Sequence, residues 1–507
     1  MSSAESRPRV PVTVQRALGL AARRRPGKIA LRQADATLTY VALDQRAAAI
    51  AQALLALGLR RGDRVAVMLP NCFDYIALAI GCAKASLCMV PLNYRFTAAE
   101  LRHQVDDSQA RALVHDALYT SAVVDAALPS HVHSICRGLQ LDALLAAAVD
   151  DWQPLQAEED ELFYLGYTSG TTGRPKGAMV TQRNRALAYH YWALEFGIGP
   201  DDVALHCGPF HHTAPFTFTL AQLFMGGEVV ILDAFDAGAA VDALLTHRVS
   251  WSFMVPFMLE RLLETAVDAA QAPALRMLVS GASPLATRTK QRVLERFPRT
   301  ALHEFYGATE AGVVTNLRAE DQLRKQRCVG QPVAEIEIEI RDEAGHRLPE
   351  PGVVGDIWMR GPTMFSGYFN APEKTAQVSD GPWCTLGDIG YLDDEGFLYL
   401  VDRRKDVIKS GGVNVYPIEI EEVILREHVV RECAVVGLPD ERWGEAICAF
   451  LVLQAGADEA KVWPRIQALC RIELAGYKQP KTLRRIDALP RNANGKVLKR
   501  ELRTRVC

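Results

Sequence analysis

The chain has 507 residues, 49% of them hydrophobic, with 57 lysines and arginines against 60 aspartates and glutamates and a formal net charge of −3. That length exceeds what one core usually holds, so two or three domains are expected, and the balanced charge gives no basic field for nucleic acid or an anionic membrane. Eleven cysteines lie scattered without C-x-x-C or Cys/His metal spacing, and their odd number argues against a complete disulfide framework; a reducing cytoplasm fits best.

Near the start, Arg23, Arg24 and Arg25 read as a solvated helix end, since no apolar run follows them as a secretory signal requires. From Thr39 the pattern alternates. Apolar spacing predicts a helix over 41–57 stopped by Gly58, then a β-rich run at 64–69 ending at Pro70. A further helix begins at Phe73, and short strands follow at 87–91 and 112–115. The most apolar window, 75–92, is broken by Lys84, Gly81 and Pro91 and is too interrupted to span a bilayer. Helix and strand alternating in this way imply right-handed crossovers and a mostly parallel, covered sheet.

An acidic turn at 158–161 precedes the apolar run LFYLGY, which opens into YTSGTTGRPKG, Tyr167 to Gly177. Thr168, Ser169, Thr171 and Thr172 supply hydroxyl donors. Gly170 and Gly173 let backbone N–H groups approach a ligand, and Lys176 adds a point charge, so the composition suits a polyphosphate. It is not a Walker-type loop: Lys176 lies between Pro175 and Gly177, without the required spacing or the Ser/Thr that would hold magnesium.

A second α/β series runs from Val203 to about Phe297. Within it GPFHHTAPF places His211 and His212 among Phe210, Phe216 and Phe218, with no third ligand at zinc spacing and no cation in these segments to hold a second carboxylate. A strand over 276–280 empties into Gly281-Ala282, where open α/β sheets bind ligands. Further on come Tyr306-Gly307-Ala308-Thr309-Glu310 and then AEIEIEI, 334–340, whose strict period of two marks a half-exposed antiparallel sheet with a turn at 342–345. After Asp402-Arg403-Arg404-Lys405 the pattern shifts to short elements, which places a domain boundary there.

The segment 167–177 resembles the phosphate-binding signature of the acyl-adenylate-forming enzymes: acyl-CoA synthetases, adenylation domains and luciferases. Other segments follow in that family's order. Tyr306 to Glu310 is similar to YGxTE, which implies Tyr306 against adenine, Gly307 among the nucleotide-binding residues, Thr309 on the α-phosphate and Glu310 on magnesium, a hard cation that needs few protein oxygens. Leu386-Gly387-Asp388 resembles TGD with leucine for threonine; its aspartate would accept both ribose hydroxyls. Residues 399–421 resemble the inter-domain junction, which implies Arg403 on the ribose, Lys405 at the hinge, and Gly411 and Gly412 beside a pantetheine arm.

PRNANGKVLKR is similar to the segment carrying the catalytic lysine, here Lys496, with Asn492 and Asn494 where threonines are common. In the family an aromatic-histidine segment gates the acyl site, matched by His211, with Gly281, Ala282 and Ala308 lining it. The resemblance implies a large domain over 1–402 with two parallel α/β subdomains and an antiparallel β subdomain, a hinge at 403–406, and a small mobile α+β domain over 407–507. It further implies ATP, Mg2+ and coenzyme A, with Thr168, Glu310, His211 and Lys496 nearest the chemistry. The expected activity is that of an AMP-forming acyl-CoA synthetase on an apolar monocarboxylic acid. Loading of a carrier-protein arm and a non-catalytic nucleotide-binding relative stay open as alternatives.

Overall fold

A computed structural model describes residues 10–149, 152–168, 175–410, 413–440, 442–491 and 497–504. The chain divides into two compact units, Met1–Glu337 with Met359–Cys384, and Ile338–Trp358 with Thr385–Cys507. The expected α/β architecture is present.

The first unit holds two large sheets. One has six strands in the order His133–Cys136, Ala110–His115, Arg64–Met68, Cys88–Pro91, Leu162–Thr168 and Lys176–Thr181; all are parallel except the last, which returns antiparallel to its neighbour. Its strands are apolar along both faces. Val65, Val67, Met89, Val90, Phe163 and Leu165 are all fully buried, as covered parallel sheets require, and each such side chain contributes about 1.5–3 kcal/mol. Thr39 caps the helix Tyr40–Ala56 by accepting from Ala42 N–H, one residue earlier than the apolar spacing suggests.

The second sheet has nine strands. Ile29–Gln33, Glu228–Ile231, Val203–His206, Trp251–Phe253, Met277–Ser280 and Ala301–Ala308 run parallel in that order, flanked by antiparallel edges. Thr168 ends the fifth strand of the first sheet, while Ser280 and Ala308 end neighbouring strands of the second. The arginine triplet closes the helix Val14–Arg24, with Arg23 and Arg24 exposed in its last turn.

The strand expected over 334–340 begins only at Glu337. Glu335 takes a left-handed backbone (φ 65°) that breaks the extended run, although Ile336 and Ile340 are still buried on the apolar face. The turn at 342–345 is closed by Gly345 N–H donating to the Asp342 carbonyl, and it brings Arg347 antiparallel to Arg341.

In the second unit the ladder between Trp383–Leu392 and Leu398–Arg403 sets Asp388 opposite Arg403. A further sheet joins Val413–Val415, Ile408–Ser410, Gly444–Leu453, Val430–Asp440 and Thr482–Arg485. Period-two alternation gives it two cores. Val435, Ile447, Ala449 and Leu451 pack against Ile420, Val423 and Ile466 of the helices Pro417–Ile424 and Glu459–Glu473, and Ala434, Val436, Cys448 and Phe450 pack against Leu489 and Leu502. No disulfide links the described cysteines, most of which are buried. Among the described residues no helix is long and apolar enough to cross a membrane.

Candidate active site

In the first unit, strand ends converge on one carboxylate. Glu310 follows the strand Ala301–Ala308, and its Oε1 accepts from Thr168 Oγ1 at 3.1 Å and from Tyr368 Oη at 2.9 Å. Phe365 N–H donates to the Glu310 carbonyl at 2.7 Å, so backbone and side chain are both held. Burial, and then the Glu310 charge, push the Tyr368 phenol well above its usual range, so it remains a protonated donor. Lys176 Nζ stands 4.8 Å from the centre of the Tyr368 ring. Burial and the nearby Lys374 charge lower the Lys176 pKa, and Glu310 pulls it back up. The donor set is a buried carboxylate, hydroxyls and an ammonium, chemistry that suits a hard cation together with phosphate oxygens.

Beside this cluster, Thr309 Oγ1 lies 2.8 Å from Thr213 Oγ1, which lies 2.5 Å from Tyr164 Oη. Thr213 opens the helix Thr213–Met225 directly after His211 and His212, so the histidine loop and the Ala308-Thr309-Glu310 segment are brought together. Asn71 fixes that loop: its Nδ2 donates to the Gly208 and Leu232 carbonyls, and its Oδ1 accepts from Phe210 N–H.

The His211 ring packs edge-on to Tyr94 with centroids 4.9 Å apart, and 4.3 Å from His212. Burial, then the His212 and Arg95 charges, drive the His211 pKa down to about 2; burial and Arg95 take His212 to about 4. Both imidazoles are therefore neutral at neutral pH.

Gly281 follows the strand Met277–Ser280, and a Cβ there would lie 2.6 Å from the Phe305 ring; one on Gly307 would lie 1.9 Å from the Gly312 carbonyl. Ala282 takes a left-handed backbone, φ 69°. Phe218, stacked on Phe253 at 5.4 Å and edge-on to Phe305 at 5.6 Å, builds an aromatic wall there.

In the second unit, Arg403 Nε lies 3.1 Å from Asp388 Oδ1 across the ladder, with Asp388 only 5% exposed. Thr385 Oγ1 accepts from Gly387 N–H at 3.1 Å, so a threonine hydroxyl shapes this turn despite leucine at 386. Next to Arg403, buried Asp402 accepts from the N–H groups of Arg403 and Ile418. Burial pushes its carboxyl up to about 6, with Lys499 opposing. Lys405 is exposed.

Ser169, Gly170, Thr171, Thr172, Gly173, Gly411, Gly412 and Lys496 lie outside the described residues. Several contacts went unnoticed in the sequence. Asn71 and Arg95 lie just beyond the ends of the strands Arg64–Met68 and Cys88–Pro91, the place where α/β sheets put ligand-facing groups, so position could have found them. Tyr368 carries no such signal.

Residues 19–369 match the AMP-binding enzyme family, and residues 419–496 match the AMP-binding enzyme C-terminal domain. The chain belongs to the AMP-binding enzyme family. It is 37% identical to a feruloyl-CoA synthase of Amycolatopsis over 96% of this chain and 97% of that protein. A 2-succinylbenzoate–CoA ligase of Bacillus cereus is 31% identical over 94% and 95% of the two chains. The solved structure of O-succinylbenzoate coenzyme A synthetase (MenE) from Bacillus subtilis, in complex with ATP and magnesium ion, superimposes with a TM-score of 0.87 at 30% identity, covering 96% of this chain and 98% of that one. This member of the AMP-binding enzyme family is an AMP-forming acid–thiol ligase.

Proposed function

We propose that the protein activates an aryl or similarly apolar monocarboxylic acid with ATP and passes the acyl group to coenzyme A. The observation that carries this reading is the convergence of Thr168 and Tyr368 on Glu310 at the strand ends, in a chain 37% identical to a feruloyl-CoA synthase. In the first step a carboxylate oxygen attacks the α-phosphorus, the bond from that phosphorus to the bridging oxygen breaks, and pyrophosphate leaves. In the second step the thiol sulfur attacks the acyl carbon, the carbon–oxygen bond to AMP breaks, and the thiol proton passes to solvent. No covalent enzyme intermediate is required, so the protein contributes positioning and charge stabilisation.

The residues divide that work. Thr168, Ser169, Gly170, Thr171, Thr172, Gly173 and Lys176 cradle the outer phosphates, Thr309 donates to the α-phosphate, and Tyr306 lies against adenine, with Gly307 among the nucleotide-binding residues. Glu310 is the residue to hold Mg2+, which supplies neutralisation of phosphate charge; its hydroxyl-bonded carboxylate fits that ion. Asp388 and Arg403 take the ribose diol. Lys496 bridges the attacking carboxylate and the α-phosphate. His211, kept neutral by burial, shapes the mouth of an acyl pocket lined by Gly281, Ala282 and Ala308. Lys405 is the hinge for the change between half-reactions, and Gly411 and Gly412 admit the pantetheine arm.

The test is one incubation of purified protein with ATP, magnesium, coenzyme A and a pooled panel of hydroxycinnamic, benzoic, alicyclic and fatty acids, read by mass spectrometry. A dominant aryl-CoA mass is expected. Acyl-adenylate without thioester would move the acceptor to a carrier-protein arm, and neither product in a sample that binds ATP would overturn the reading.

A further inference from the structure

Three side-chain hydroxyls form a partly buried cluster, and two of them, those of Tyr164 and Thr213, have no part in the steps above. Tyr164, 1% exposed in the strand Leu162–Thr168, meets Thr213 at 2.5 Å, Thr213 meets Thr309 at 2.8 Å, and the Tyr164 hydroxyl is hydrogen-bonded to Thr309 as well. The three come from different elements: the strand that leads into the phosphate cradle, the first turn of the helix Thr213–Met225, and the segment after the strand Ala301–Ala308. Gly166 keeps the space open. A Cβ there would stand 2.3 Å from Tyr164 Oη and 2.6 Å from the Thr309 methyl, so a larger residue at 166 would displace both ends of the chain.

A run of hydroxyls can be hydrogen-bonded in two directions, and the surroundings select one. A phenol is a stronger acid than an aliphatic alcohol and therefore the better donor. The Arg185 guanidinium, 5.7 Å from the centre of the Tyr164 ring, favours donation further by stabilising negative charge on the phenol oxygen, while burial keeps the phenol protonated. Tyr164 thus donates, to Thr213 or to Thr309, and in either arrangement the Thr309 oxygen is an acceptor within the cluster. The bonds polarise one another, and with Thr309 accepting inside the cluster its own proton is free to point outward.

We propose that Tyr164 and Thr213 are positioning residues that orient the Thr309 hydroxyl as a donor to a phosphoryl oxygen of the nucleotide. This rests on the function proposed above. Negative charge on the α-phosphoryl oxygens builds as the carboxylate attacks, so an oriented donor acts more on kcat than on nucleotide binding.

The test uses the full-length enzyme with an acid it turns over, in the ATP–pyrophosphate exchange half-reaction. Tyr164→Phe and Thr213→Val each keep the side-chain shape and remove one link. Each is expected to lower kcat about tenfold while KM for ATP moves less than about threefold. The double variant should fall no further than the worse single one, because the links act as a unit. Thr213→Ser, which keeps the hydroxyl, should restore kcat to within about threefold of wild type. Melting temperatures separate a loss of fold from a loss of orientation. Unchanged kcat in both single variants, multiplicative losses in the double, or a Thr213→Ser enzyme as slow as Thr213→Val would overturn this proposal alone. A wild-type protein with no exchange on any acid would overturn the function reading and this inference with it.

Discussion

Glu310 and Asp388 are both buried carboxylates, 7% and 5% exposed, but they are held by different chemistry. Glu310, in the first unit, receives two neutral hydroxyls, and among the described residues no lysine or arginine nitrogen stands within ion-pair distance of it. Asp388, in the second unit, stands 3.1 Å from the Arg403 guanidinium. Hydroxyl donors orient a carboxylate without cancelling its charge, whereas a guanidinium both orients and neutralises it. The first arrangement preserves a negative group for a cation, and the second holds a charge-compensated acceptor, the kind of group a neutral diol meets. The proposed roles, magnesium for Glu310 and ribose for Asp388, follow that difference.

The comparison can be broken most directly at Glu310. Glu310→Gln keeps the shape and an acceptor oxygen but removes the charge, and acyl-adenylate formation should fall by about 100-fold or more in the pyrophosphate-exchange assay. Asp388→Asn should act mainly on nucleotide binding, raising KM for ATP by about 10- to 100-fold with a smaller change in kcat. Equal effects of the two substitutions on KM would erase the proposed contrast. Tyr368→Phe removes one hydroxyl from Glu310 and should raise the magnesium concentration for half-maximal activity by about two- to tenfold, leaving KM for the acid unchanged.

The smallest effects concern stability against pH, and the two units differ in sign. Burial lowers the pKa of His206 from 6.5 to about 3, so the unfolded chain takes up a proton that the folded chain refuses. Its contribution is complete above pH 6.5 and is lost as the pH falls towards 3. Asp402, raised from 3.8 to about 6, binds a proton more readily when folded, and its contribution grows as the pH falls from 6 towards 3.8. Between pH 7 and 5, His206→Gln should flatten the acid fall in melting temperature and Asp402→Asn should steepen it, as thermal scans across that range would show.

Much of the fold was legible because its signals are local. The helix Tyr40–Ala56, the strands Arg64–Met68 and Cys88–Pro91, and the strand before Gly281 all follow from apolar spacing and from stops at glycine and proline. The error at 334–336 has a physical cause: period-two hydrophobicity persists through Ile336, but the backbone sign at Glu335 is set by a turn that side-chain pattern does not encode. At the site, glycine and hydroxyl density marked Thr168 and Lys176, and resemblance to the family marked Glu310 and Asp388. Tyr368 reaches the site only through tertiary packing, and Tyr164, on the strand that leads into the glycine-rich loop, reads in sequence as one more apolar strand residue. Arg95 is remote in sequence from the histidine and glycine segments: it follows a strand of the other sheet, and only the fold brings its charge to His211.

The most direct test of the whole account follows the oxygen. An acid the enzyme turns over, labelled with 18O in both carboxylate oxygens, is incubated with ATP, magnesium and coenzyme A, and the nucleotide and pyrophosphate are analysed by mass spectrometry. Attack of the carboxylate on the α-phosphorus predicts one 18O in each AMP formed and none in pyrophosphate. Unlabelled AMP, or label appearing in a phosphate product, would contradict adenylation as the first step and with it the roles proposed for Glu310 and Thr309.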